Sequence, residues 1–188
     1  MKIKEITVTA LMAAVCCILA PISVPVGPVP VSLLVLAALF CVFAVGTKLG
    51  TLAFTIFLLL GAAGLPVFSG WQGGIAKLAG PTGGYLIGCI PMILIAGAFI
   101  TWSEKKKGAL KYVIQAIGMV IGVLVCYAFG TAWFMIESGS NLATSLSLCV
   151  LPFLPFDAIK IAIAMIVGNP LRAALTKADL MHYGVQKA

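Results

Sequence analysis

Long apolar runs alternate with short clusters of glycine, proline and charge, and they divide the chain into six segments. These run approximately 6–20, 31–46, 49–64, 82–102, 110–134 and 147–168, and each predicts a helix. A helix needs about 20 residues to cross a hydrocarbon layer of about 30 Å, and several of the segments fall short. The connections are therefore expected to dip to membrane depth, which backbone tolerates only where protein covers it or where it lines a cavity. Two connections stand out. Residues 21–30 (PISVPVGPVP) hold four prolines in ten positions, which predicts a stiff extended hairpin that no helix can span. Residues 65–81 form a long glycine-rich loop carrying Trp71, Gln72 and Lys77.

Composition fixes the medium. Hydrophobic residues make up 62% of the 188 positions and charged residues only 9%, where a soluble domain averages about 25% charged. The expected fold class is thus an all-α integral membrane protein: one domain over 1–188, a six-transmembrane-helix bundle with no added soluble domain. The apolar N-terminus lacks a small-residue cleavage site and reads as the first helix, not a signal peptide.

The net charge of +7 first suggests nucleic acid, but its distribution argues for topology. With both termini cytoplasmic, Lys2, Lys4, Lys48, Lys105, Lys106, Lys107, Lys111, Arg172, Lys177 and Lys187 share one side, which is ten of the twelve basic residues. The exceptions are Lys77 in an outer loop and Lys160 inside the last segment. Positive-inside bias accounts for the charge without a nucleic-acid partner, and EKKKG (104–108) becomes a topology anchor. The six cysteines lack CxxC or Cys/His spacing, so neither a metal site nor a disulfide framework is expected.

Within the apolar segment LPFLPFDAIKIAIAMIVG (151–168), Asp157 and Lys160 are the anomaly. An unpaired Asp or Lys at a helix centre costs about 2.5–3.5 kcal/mol on insertion scales. At i, i+3 the two share a face and can reach each other or one polar ligand. They are either a self-neutralising structural pair or a buried recognition site. Pro152 and Pro155 mark the start of this helix, so the pair sits at its outer end, on the side of both unusual loops. That convergence predicts an outward-facing pocket roofed by the loops, with Thr82 and Tyr85 following the glycine-rich block as further candidates.

Other polar and small residues read more plainly. Gly84/Gly88 and Gly118/Gly122 are small-xxx-small pairs, expected to serve close helix packing. Gln115 is either a ligand contact or helix glue, Trp102 an interfacial anchor, and His182 a solvated tail residue. Ala10 and Ala14 form another small pair, open to internal packing or to docking of another protein. No GxxxxGK[ST], GxSxG or HExxH pattern occurs, and no second intramembrane carboxylate pairs with Asp157, so an enzyme is not expected.

GLPVFSGWQGGIAKLAGPTGGYLIG (64–88) together with LPFLPFDAIKIAIA (151–164) resembles BioY, the family of biotin-specific substrate-binding membrane subunits (S components) of energy-coupling factor (ECF) transporters. The likeness extends over nearly the whole chain. It implies biotin uptake through a high-affinity outward-facing pocket, in a multi-pass protein of the bacterial plasma membrane. It implies as partners a transmembrane coupling protein and two cytoplasmic ATPases, with ATP used only by those subunits and no cofactor in this chain. Ala10 and Ala14 match an alanine-x-x-x-alanine pattern that contacts the coupling protein. The family's DxxK pair falls on Asp157 and Lys160: Asp157 would accept from ureido N–H groups, and Lys160 would meet the carboxylate or the ureido carbonyl. Trp71, Phe68 and Tyr85 would cover the ring and the aliphatic tail, and Gln72 belongs to the same loop. The alternative is a stand-alone proton-coupled vitamin carrier using Asp157.

Overall fold

The structure, a computed structural model, describes residues 3–25 and 29–181. Lys2, His182 and Lys187 lie outside the described residues, as do three positions of the proline-rich connection. Among the described residues there are seven helices: α1 (Ile3–Leu19), α2 (Leu34–Ala62), α3 (Ile75–Ala79), α4 (Gly83–Ser103), α5 (Ala109–Ser138), α6 (Leu142–Cys149) and α7 (Leu154–Lys177). Four of them, α2, α4, α5 and α7, are long and apolar enough to cross a membrane, and the chain is a helical membrane protein.

Two expected segments, 31–46 and 49–64, appear as the single element α2, and Gly46 explains why. Its φ of 75° and ψ of −179° break the helix at a conformation that glycine adopts without Cβ strain. A Cβ on Gly50 would stand 3.1 Å from the carbonyl carbon of Cys41. Nine residues of continuous helix would hold those positions about 13 Å apart. The chain therefore folds back at Gly46, and α2 is two arms lying against each other.

The reversal leaves carbonyls of the first arm without helical partners, and Arg172 of α7 takes two of them. Its guanidinium donates to the oxygens of Val42 (3.4 Å) and Phe43 (3.3 Å) and pairs through Nε with Glu104 just beyond α4. One buried cation thus ties together α2, α4 and α7. Gln115 adds a second tie at the same end. It exchanges amide hydrogen bonds with Asn169 and donates to Ser103, so it is helix glue and not a ligand contact. These bonds also explain why α7 outruns the apolar segment expected to end at 168. The polar residues Asn169 and Arg172 are satisfied by neighbouring helices, so the helix continues to Lys177.

The glycine pairs close the α4–α5 seam, as their spacing predicts. A Cβ on Gly84 or Gly88 would strike Trp133 or Phe129, and one on Gly118 or Gly122 would strike Phe99 or Met92. Across α1 and α2, Cys16 Sγ lies 3.2 Å from Cys41 Sγ, and all six cysteines are free.

At the end opposite Arg172, two connections gather. The proline-rich one forms a two-stranded hairpin, β1 (Ser23–Val24) with β2 (Val31–Ser32), in antiparallel register Ser23 to Ser32. Its ladder is short because Pro25 and Pro30 flank it and have no N–H to donate. The glycine-rich loop lies over it, with the Gly70 N–H donating to the Pro21 carbonyl at 3.1 Å.

Candidate functional site

Pro155 at the start of α7 sets the geometry of the site. The preceding residues turn without helix, and α7 begins so that Asp157 and Lys160 face inward on its first turns. Asp157 is 2% exposed and Lys160 5%. Lys160 Nζ donates to Asp157 Oδ1 at 2.7 Å, and the Tyr127 hydroxyl of α5 donates to Asp157 Oδ2 at 2.6 Å. Each carboxylate oxygen thus holds one charge-assisted or short hydrogen bond and keeps one acceptor direction for a ligand. The pair is neither stranded in the apolar interior nor closed off: both residues line a small cavity that opens at its mouth.

Tyr127 was not visible as a site residue in the sequence. The available signal was a phenol deep in a spanning segment, away from the interface where Tyr usually sits, and therefore in need of a partner. Its partner can be identified only once α5 and α7 are seen side by side.

Of the residues expected in the pocket, the structure brings Tyr85, Thr82, Asp157 and Lys160 onto one cavity wall. Tyr85 lies flat on Phe153, with ring centroids 6.3 Å apart and 9° between planes, and its hydroxyl donates to the Cys149 carbonyl at 3.1 Å. Phe68, Trp71 and Gln72 lie off that wall. Phe68 is fully buried in the loop's own foundation, edge-on to Phe57 at 5.6 Å and set over Gly61, where a Cβ would meet its ring at 2.1 Å. This anchor holds a tight turn closed by paired hydrogen bonds between Phe68 and Gln72. The turn points Trp71 outward, 63% exposed, leaves Gln72 exposed, and brings Ser69 to the cavity. Lys77, on α3 above, is partly buried, and desolvation pulls its pKa below the ordinary lysine value.

Gly130 provides the seat for Tyr85. A Cβ there would fall 2.3 Å from the tyrosine ring, which is pinned by Phe153 and Cys149 and has little room to move. Gly130→Ala is therefore expected to destabilise the fold by about 1–3 kcal/mol, the usual range for overpacking. A lowered thermal unfolding midpoint in detergent would register it; a wild-type midpoint would show that the ring shifts freely.

Ala10 and Ala14 sit on the exposed face of α1, one turn apart and beside exposed Leu11 and Ile18, and do not pack against the bundle.

An all-helical membrane protein whose buried charge pair lines a small cavity beneath loops at one end belongs to the solute-binding and transport proteins. Sequence and structure comparisons specify the kind. The chain belongs to the BioY family, whose model matches residues 1–177. It is 39% identical over 172 residues to the probable biotin transporter BioY of Pyrococcus horikoshii, covering 92% of this chain and 98% of that one. It is 37% identical to the biotin transporter BioY of Thermotoga maritima, covering 80% and 85%. Among solved structures it is similar to the S-component for biotin from an ECF-type ABC transporter. The TM-score is 0.83 at 31% identity, covering 91% of this chain and 92% of that one. The family is one of transporters, not enzymes.

Proposed function

We propose that this chain is the biotin-binding subunit of an ECF transporter in the cell membrane, holding biotin in the cavity at Asp157 and Lys160. The observation that carries this reading is the Tyr127–Asp157–Lys160 cluster, a buried acceptor beside a buried donor on a cavity wall. A ureido edge presents an N–H next to a carbonyl, so Asp157 accepts from the N–H while Lys160 donates to the carbonyl. Tyr85 and Phe153 supply flat apolar surface for the rest of the ligand.

In this reading six helices cross the membrane: α1, the two arms of α2, α4, α5 and α7. The end rich in Lys105, Lys106, Lys107 and Lys111 faces the cytoplasm together with both termini, and the loop-covered cavity faces outward. A transmembrane coupling protein docks on the Ala10/Ala14 face, and two cytoplasmic ATPases supply the energy.

Equilibrium binding of labelled biotin to the purified protein tests the central claim. Saturable one-to-one binding is expected, and no binding would refute it. Uptake should require the coupling protein and ATP. Uptake into proteoliposomes driven by a proton gradient alone would instead favour a stand-alone carrier working through Asp157. Ala10→Arg is expected to leave biotin affinity unchanged while abolishing co-purification with the coupling protein; normal co-purification would remove the docking role.

A further inference from the structure

The end of the molecule that carries Arg172 also carries positive charge that the fold does not balance. Lys105, Lys106 and Lys107 fill the turn between α4 and α5, Lys111 stands in the first turn of α5, and Lys177 in the last turn of α7. None of the five has an ion pair among the described residues. Lys111 is placed against its own helix. α5 begins at Gly108 with no side-chain cap and no acidic residue in its first turn, so a cation sits where the helix dipole favours an anion. Lys111 and Lys177 line one groove between the start of α5 and the end of α7. The other polar side chains there are engaged with the fold: Glu104 pairs with Arg172, Asn169 exchanges amide bonds with Gln115, and the Thr176 hydroxyl donates to the Arg172 carbonyl. Three cations and one carboxylate line the groove, which leaves an excess of two positive charges.

We infer that this groove binds the phosphate of an anionic phospholipid, held between Lys111 and Lys177 at the uncapped start of α5. The inference rests on the membrane placement proposed above, with this end at the cytoplasmic face, and is independent of what the cavity binds. At that depth the headgroups of the inner leaflet lie beside the groove. Exposed apolar residues of the same two helices, among them Ile117 and Ile166, face the acyl chains. A phosphate there is the counterion for two lysines on different helices. It also lies at the positive end of α5, and it turns Lys111 from a charge opposing the helix dipole into one half of an ion pair. Basic pockets between spanning helices on the cytoplasmic side recognise anionic headgroups in this way. A lipid bound here ties α5 to α7, so its binding is read as stability of the fold.

The experiment follows the thermal unfolding midpoint of the purified full chain in neutral detergent as phosphatidylglycerol is added, with phosphatidylcholine and inorganic phosphate as comparisons. Phosphatidylglycerol is expected to raise the midpoint saturably, and the other two to leave it unchanged at the same concentration. Lys111→Gln combined with Lys177→Gln should weaken the apparent affinity for phosphatidylglycerol by about 30-fold, and each single change by about 5-fold, the scale of one lysine against an anionic headgroup. Lys105→Gln combined with Lys107→Gln removes the same charge from the neighbouring turn, outside the groove, and should leave that affinity near wild type. Without lipid, both double variants should unfold at the wild-type midpoint, because none of these lysines holds an ion pair in the fold. Equal responses to phosphatidylglycerol and phosphatidylcholine, or equal losses in the two double variants, would overturn the groove as a lipid site. A response to inorganic phosphate as large as that to the lipid would overturn it in favour of a free-anion site. Biotin binding to the same samples separates this inference from the function proposed above. A lost lipid response with intact biotin binding removes the groove alone, and an intact lipid response without biotin binding removes the biotin reading alone.

Discussion

Lys160→Ala is expected to weaken biotin binding by about 2–5 kcal/mol, or roughly 30- to 5,000-fold, the range seen when one partner of a buried, hydrogen-bonded charge pair is truncated. Two losses combine. The ligand carbonyl loses its donor, and Asp157, 2% exposed, is left with only the Tyr127 hydroxyl at 2.6 Å. Asp157→Asn approaches the same interaction from the other side. It preserves shape and an acceptor but leaves the buried Lys160 ammonium against a neutral amide, and a loss of similar scale is expected. Because each single change strands the other partner, Asp157→Asn combined with Lys160→Met should lose less than the sum of the two. Titration calorimetry on the three variants checks this. Unchanged affinity in both single variants would remove Asp157 and Lys160 from the binding site.

The second large effect lies at the opposite end of the molecule. Arg172→Met is expected to destabilise the fold by about 3–5 kcal/mol, the cost of leaving one member of a buried ion pair alone. Glu104 would lose its cation when its Oε2 already lacks a hydrogen-bond partner, and the carbonyls of Val42 and Phe43 would lose a donor at the Gly46 break. Arg172→Lys should rescue little, because a point charge on a flexible stem does not reproduce a planar fork reaching three acceptors at once. Thermal unfolding in detergent reads the stability, and biotin affinity of the surviving folded protein should stay near wild type because the cavity is at the other end. An unfolding midpoint equal to wild type would show that the Gly46 reversal does not depend on this clamp.

Much of this was legible from local pattern. The apolar runs and their breakers located α1, α4 and α5 to within a few residues, because proline, glycine and charge act on the backbone where they occur. The small-residue pairs 84/88 and 118/122 named a real helix seam, since close approach demands small side chains whichever helix is the neighbour. The Asp157/Lys160 pair was evident from its cost in an apolar helix. The end of α7 was not, because the residues that carry it past 168 are polar and are satisfied by Gln115 and Glu104 on other elements. Trp71 looked like a pocket residue by type, yet a turn anchored by Phe68 directs it outward and brings Ser69 to the cavity.

Apolar length, the glycine and proline breaks and a DxxK pair on one helical face are properties of neighbours along the chain, and they follow from residue order alone. Which hydroxyl meets Asp157 and which carbonyls Arg172 covers depend on groups 30 to 130 positions apart, and whether Thr82 caps its own helix depends equally on the packing around it. Those meetings exist only after the helices pack, because a buried polar group takes its partner from whatever the fold brings within hydrogen-bond reach.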